Sequence, residues 1–383
     1  MTTSVGSVFG AVLDPVNRHN PYPLYTSLRR TPVGREPDGT WLVTTFREIS
    51  ALLHDPRISS AVDPDREPVG LAPSFLRTDP PQHDRLRRLA TRQFGPPHRP
   101  TFVADLQQSF EGIVDRLIAD LPASTADLVD QFAYPLPVLV ICELLGVPLA
   151  DEPRFKAWID QALATENPRD TPAFRELGDY LGDLVDADPE PGLLRSLAHD
   201  DGPDGRMTRD ELVGTALLLL IAGHETTVNL IANASLVLLR EPRWIERLLD
   251  DPSFAIPLVE EVLRWDPPVQ FLPWRTALDD IPIGGTTIPR GASVTLLLAA
   301  GNRDAAHVSD PDRFDPDRRP VQHLGFGDGI HYCFGAPMAR LEAQVALRAL
   351  APVLARARLL EDPPEYRPSP VLRGPRHLRV ALQ

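Results

Sequence analysis

The chain has 383 residues, 43% of them hydrophobic, and a formal net charge of −14 at pH 7. That charge argues against nucleic acid as a partner, while the apolar content is enough for a sizeable core. Two cysteines supply no disulfide framework and point to a reducing compartment, and Gly 24 with Pro 42 stay below the level that suggests disorder.

In chain order, residues 1–6 lack the basic region and apolar run of a signal or anchor, so a soluble, cytoplasmic protein without a membrane anchor is expected. Apolar periodicity predicts helices over 21–31 and 46–54, and Asp38-Gly39 turns a hairpin between two short strands. A proline-rich irregular stretch at 55–81 leads into a helix over 82–94, opened by Pro80 and Pro81. On it His83 and Arg87 share one face at i and i+4, and Arg85, Arg88 and Arg92 share another.

Further helices are expected over 99–122, 135–146, 152–165 and 172–187, with loops at 188–191 and 200–206. Cys142, among Val140, Ile141, Leu144 and Leu145, reads as a small buried hydrophobe. The stretch 208–239 reads as one long helix, apolar on nearly every side in its middle and therefore central and buried. Its apolar run at 217–221 is taken as too short for a membrane span.

Ala222-Gly223-His224-Glu225-Thr226-Thr227 interrupts this pattern, since Gly223 weakens a helix by ~1 kcal/mol relative to alanine. Local rule-breaking of this kind is expected where a ligand must approach the backbone. Alternatively Thr226 bonds back to a helix carbonyl and Glu225 forms a buried ion pair.

Helices over 242–250 and 255–265 follow, the second carrying Glu261 and Arg264 at i and i+3, a spacing that suits an ion pair at the surface or in the interior. Alternating and β-branched runs at 268–299 and 366–382 predict small sheets, and a last helix covers 336–354. The fold class is thus mainly α with small peripheral β-sheets. No linker or internal repeat divides the chain, which is read as one domain over 1–383.

Cys333 stands in Phe326-Gly327-Asp328-Gly329-Ile330-His331-Tyr332-Cys333-Phe334-Gly335-Ala336-Pro337, with glycines on both sides and a helix start directly after it. Glycines let backbone N–H groups turn toward the sulfur, and these donors with the positive helix N-terminus favour a thiolate. A thiolate held in this way suits the axial position of a haem iron.

The positions Phe326, Gly329, His331, Cys333 and Gly335 match the pattern Phe-x-x-Gly-x-His-x-Cys-x-Gly, so the segment resembles the haem-binding loop of the cytochrome P-450 family. The resemblance covers almost the whole chain and implies the cytochrome P-450 fold of the soluble bacterial members. It implies haem b as cofactor with Cys333 as iron ligand, and O2 with NAD(P)H-derived electrons as co-substrates. By the same resemblance Ala222 and Gly223 form the oxygen-binding groove, Thr226 and Glu225 deliver protons, and His83, Arg87, Arg275 and His331 hold the haem propionates. Glu261 and Arg264, with Arg318, become a buried clamp that locks the segment leading to the cysteine.

The pocket implied by the family is lined by the 57–80 loop, Phe75 and Leu76 especially, by parts of 150–180, and by Leu219, Val269, Phe271, Leu272 and Val371. Its apolar character suggests a hydrophobic or amphipathic substrate, oxidised in secondary metabolism by hydroxylation or epoxidation. Oxidative coupling, direct use of peroxide and an inactive haem-binding module are the rival readings. A separate ferredoxin and ferredoxin reductase would supply electrons to a monomer. Arg85, Arg88 and Arg92, with Arg340, are either the docking face for that acidic donor or a solvated helix face.

Overall fold

The structure, a computed structural model, describes residues 7–61, 74–94, 106–163, 171–187, 192–200 and 202–382. They divide into two compact units, one of residues 1–60, 117–133 and 226–383 and the other of 61–116 and 134–225.

The first unit is built on a five-stranded sheet in the order Val33–Arg35, Trp41–Val43, Ser293–Leu296, Leu272–Ala277 and Ile58–Ser59. Its first two strands form the expected hairpin, with Gly39 at φ +92° in the turn where a side chain would be strained. Ser293–Leu296 then runs parallel to Trp41–Val43 and antiparallel to Leu272–Ala277. The last pairing breaks register between Leu272 and Arg275, and Trp274 inside the break takes φ +60°, a rare value for a bulky residue.

Val43, Ile49, Val294 and Leu296 have no exposed surface and pack with Leu324, so the sheet, the Phe46–Leu53 helix and the segment leading to Cys333 share one core. A three-stranded sheet of Thr125–Asp127, Arg379–Leu382 and Ala357–Leu359 and a hairpin of Ile281–Ile283 with Thr286–Ile288 complete the β structure among the described residues. The Ala336–Leu354 helix packs against Ala255–Trp265 and Arg243–Asp250.

The second unit is helical. Glu152–Leu163 packs on Pro172–Asp186, and Leu193–Ala198 packs on both Gln82–Phe94 and Pro135–Leu145. Gly146, at φ +79°, ends the Pro135–Leu145 helix, as a left-handed cap requires. Most expected helices recur within a residue or two, whereas the expected 99–122 helix is seen as Gln107–Ala119 and residues 99–105 lie outside the described residues.

The long helix runs from Arg209 to Arg240. One 18-residue window of it reaches a mean hydropathy of 1.4, long and apolar enough to cross a membrane, which corrects the expectation that its apolar run is too short. Two-thirds of that window is buried inside the protein, the burial expected of a central core helix.

Candidate active site

The cysteine loop is fixed from both ends. At its start the Leu324 N–H donates to Asn302 Oδ1 at 2.6 Å and the Gly325 N–H to His323 Nδ1 at 3.1 Å. Gly327 and Gly329 take φ +71° and +66°, turning the chain back on itself. A Cβ on Gly329 would sit 2.0 Å from the Leu53 carbonyl oxygen, so only glycine lets the loop lie against the end of the Phe46–Leu53 helix. Asp328 ties the same two elements, accepting from Ser50 Oγ at 2.8 Å.

The Cys333 N–H donates to the Phe326 carbonyl at 2.9 Å and closes the loop. The sulfur-bearing residue is half-buried, and the Ala336–Leu354 helix begins three residues on, with Gly335 as its N-cap. The positive end of that helix favours the thiolate.

Around this loop lies a network that reading the sequence alone missed. Glu260 accepts from Arg340 Nε at 2.6 Å, from Arg340 Nη2 at 3.0 Å and, when its Nε2 is protonated, from His323 at 3.1 Å. Arg340 also donates to the Tyr332 hydroxyl at 3.1 Å and lies over the Phe326 ring at 4.5 Å. Burial alone would raise the Glu260 carboxyl, but these hydrogen bonds pull it down to about 2. Arg340 is therefore committed to the loop.

The expected clamp is present and buried. Glu261 takes Arg264 in a two-pronged pair, both bonds at 2.7 Å, and also Arg318 Nε at 3.0 Å and the Asp315 N–H at 2.8 Å. The remaining guanidinium donors reach the carbonyls of Pro311 and Arg313. Arginine's planar fork is what allows one carboxylate to bind the 309–318 segment from several sides.

On the long helix, Leu219, Gly223, Glu225 and Thr226 are half-buried and Ala222 is exposed, while Leu220, His224, Thr227 and Val228 are buried. Leu218 and Ile221 are half-buried as well, so an otherwise buried helix is open along most of 218–226, with 219, 222, 223 and 226 on one face at i, i+3, i+4, i+7. A Cβ on Gly223 would meet nothing within 4 Å, and the same holds at Gly335. His224 points elsewhere, its Nε2 3.2 Å from the Tyr134 carbonyl and its ring edge-on to Tyr134 at 4.5 Å.

His83 is buried, with Nδ1 2.8 Å from Asp84 Oδ1, and Arg87, one turn on, lies over the buried Phe75 ring at 5.6 Å. Arg275 sits on the strand beside the register break, and His331 Nε2 is 2.7 Å from Ser60 Oγ. Leu76 is exposed, and Val269, Leu272 and Val371 are partly buried. Residues 62–73 and 164–170, parts of two expected pocket segments, lie outside the described residues.

Two expectations are corrected. Phe271 is fully buried and packs edge-on to Phe9 at 5.6 Å, which makes it a core residue rather than a pocket wall. The arginine stripe is not an open docking face: Arg85 pairs with Glu211 at 2.8 Å, Arg88 with Asp204 at 3.0 Å, and Arg92 with Asp200 at 2.7 Å and Asp204 at 3.2 Å. Charges spent on acids of the same unit leave little field for an incoming acidic protein.

The donor set fits an iron porphyrin. A soft thiolate source lies in a glycine loop at a helix N-terminus, Gly223 leaves a helix backbone bare, and imidazole and guanidinium groups suit carboxylates.

Comparison with known proteins agrees with this chemistry. The sequence profile of the family described as cytochrome P450 matches residues 255–359. The chain is 41% identical over 384 residues to the vitamin D(3) 25-hydroxylase of Pseudonocardia autotrophica, covering 95% of this chain and 94% of that one. It is 38% identical over 365 residues to the mycinamicin IV hydroxylase/epoxidase of Micromonospora griseorubida, with 92% and 91% covered. The crystal structure of ligand-free CYP164A2 from Mycobacterium smegmatis superposes with a TM-score of 0.87 at 41% identity, covering 98% of this chain and 99% of that one.

Proposed function

The chain belongs to the cytochrome P450 family and is a haem-dependent monooxygenase, and on that premise we propose that it hydroxylates or epoxidises a hydrophobic or amphipathic small molecule in secondary metabolism. The observations that carry the reading are the glycine-cradled Cys333 and, on the long helix, the bare backbone at Gly223, where a Cβ would meet nothing within 4 Å. The relatives described as a 25-hydroxylase and a hydroxylase/epoxidase support both halves of the reaction class.

When bound, the haem supplies the activation of O2 with two electrons, one oxygen atom going to the substrate and the other leaving as water. Cys333 is the residue that would ligate its iron, and the Glu260–Arg340–Tyr332 network holds the loop in shape. His83, Arg87, Arg275 and His331 would hold its two carboxylates. Thr226 would hold a proton at Oγ1, and Glu225, its half-exposed neighbour, would bring protons to it from solvent. Phe75, Leu76, Leu219, Val269, Leu272 and Val371 would exclude water and orient the substrate. Electrons would come from a separate ferredoxin and reductase in the cytoplasm.

The test is the reduced carbon-monoxide spectrum followed by optical titration with hydrophobic natural products. A strongly red-shifted band, lost in Cys333→His, and a low-to-high-spin shift with one compound class are expected. Well-folded, haem-loaded protein without the red-shifted band would refute the thiolate assignment.

A further inference from the structure

Thr226 heads a polar line on the long helix. Asn229 and Asn233 follow at i+3 and i+7, so the three share a side of the helix. The two asparagines are 0% and 1% exposed. Neither Nδ2 nor Oδ1 of Asn229 has a hydrogen-bond partner among the described residues, and Oδ1 of Asn233 has none. Gly374 gives the first amide its space: a Cβ there would lie 2.2 Å from Asn229 Oδ1.

Asn233 is tied to the fold on its far side. Its Nδ2 donates to the carbonyls of Asp266 and Arg373, both at 3.1 Å. Arg373 Nε donates to Asp266 Oδ1 at 2.7 Å, and Arg373 Nη2 reaches the His19 carbonyl at 3.2 Å and the Tyr366 hydroxyl at 3.3 Å. The Tyr22 hydroxyl donates to the same Asp266 oxygen. His19 and Tyr366, with Arg18 and Arg376, line a surface cleft of about 350 Å³.

A buried amide with every hydrogen-bonding group idle is strongly disfavoured, and native proteins settle such groups on internal water that has about two to four polar partners. We propose that Asn229 and Asn233 hold internal water beside Thr226, on the side of the long helix that the three share. That water gives Thr226 a proton route distinct from the Glu225 side. The catalytic half of the proposal rests on the reading of Thr226 given above; the water site does not.

The experiment compares haem-loaded wild type with Asn229→Leu and Asn229→Ser. Oxygen-17 magnetic relaxation dispersion counts long-lived internal waters, and thermal melting reads what the amide is worth. Asn229→Leu, similar in size and apolar, is expected to lose at least one such water and to melt lower, because the water's other partners are stranded. Asn229→Ser, which keeps a polar group and adds room, retains the signal. A leucine variant that melts higher with an unchanged water count would mean a dry, strained amide and would overturn the proposal.

The route is read separately, from the rate at which dithionite-reduced protein returns to the ferric state in air, in H2O and in D2O. A slowing of about twofold with an altered solvent isotope effect is expected in Asn229→Leu, as for loss of one proton path. Loss of water without that change overturns the route. A Thr226→Ala variant that behaves as wild type in the same assay sinks the reading of Thr226 instead, and leaves the water count untouched.

Discussion

Two carboxyls on either side of the cysteine respond to pH in opposite senses. Glu342, 3% exposed on the helix that follows Cys333, has no partner for Oε1 among the described residues, and burial pushes its carboxyl up to about 8. Since that lies above the 4.5 of an ordinary glutamate, folding takes up a proton between these limits. Stability therefore falls as pH rises through the window, by about 1.4 kcal/mol per pH unit. Glu342→Gln should flatten this slope and exceed wild type in denaturant midpoint near pH 8; an unchanged slope would mean that the carboxyl is charged in the fold. Glu260 runs the other way. Its value of about 2 lies below 4.5, so its contribution is full above 4.5 and is lost as pH falls toward 2. Sequence made Phe326, Gly329, His331, Cys333 and Gly335 legible because they form one local pattern. It could not show Glu260 with His323, since 63 residues separate two polar side chains that each suit a surface.

The clamp shows what one helix can fix elsewhere. Glu261 and Arg264 are 3% and 2% exposed, and removing one partner of a buried pair costs about 3–5 kcal/mol, chiefly by stranding the other charge. Glu261→Gln strands both Arg264 and Arg318, so a fall of that size is expected in the free energy of denaturant unfolding. A change below about 1 kcal/mol, as for exposed pairs, would contradict the burial argument. Long helices were readable from period and caps: Gln82–Phe94, Ala255–Trp265 and Ala336–Leu354 start and end where expected. Val8–Leu13, Leu193–Ala198 and the strands Thr125–Asp127 and Ala357–Leu359 were not, because three to six residues are too few to display a period. The arginine stripe of the Gln82–Phe94 helix had the right spacing for a docking face; its partners Asp200, Asp204 and Glu211 follow more than 100 residues later in the chain.

At the scale of the molecule, a charge of −14 coexists with arginines paired to acids of the fold, buried in the clamp and at Arg373 with Asp266 and more exposed on the Gln82–Phe94 helix. The sum of charges therefore says little about where an acidic protein could approach. The Gly329 contact has a consequence for the order in which the protein can be made. The loop around Cys333 is shaped against Ser50 and Leu53, and Ser50 bonds Asp328 across 278 residues of chain. During synthesis, made from the N-terminus onward, the early helix must wait for the chain between Ser50 and Asp328 before the loop arrives. Haem capture through Cys333 is thus expected only once residues 326–335 have been made. Ribosome-bound chains halted before Gly335 should retain no haem, whereas chains carrying Leu354 beyond the exit tunnel should; retention by the shorter chains would show that the early helix is dispensable for shaping the loop.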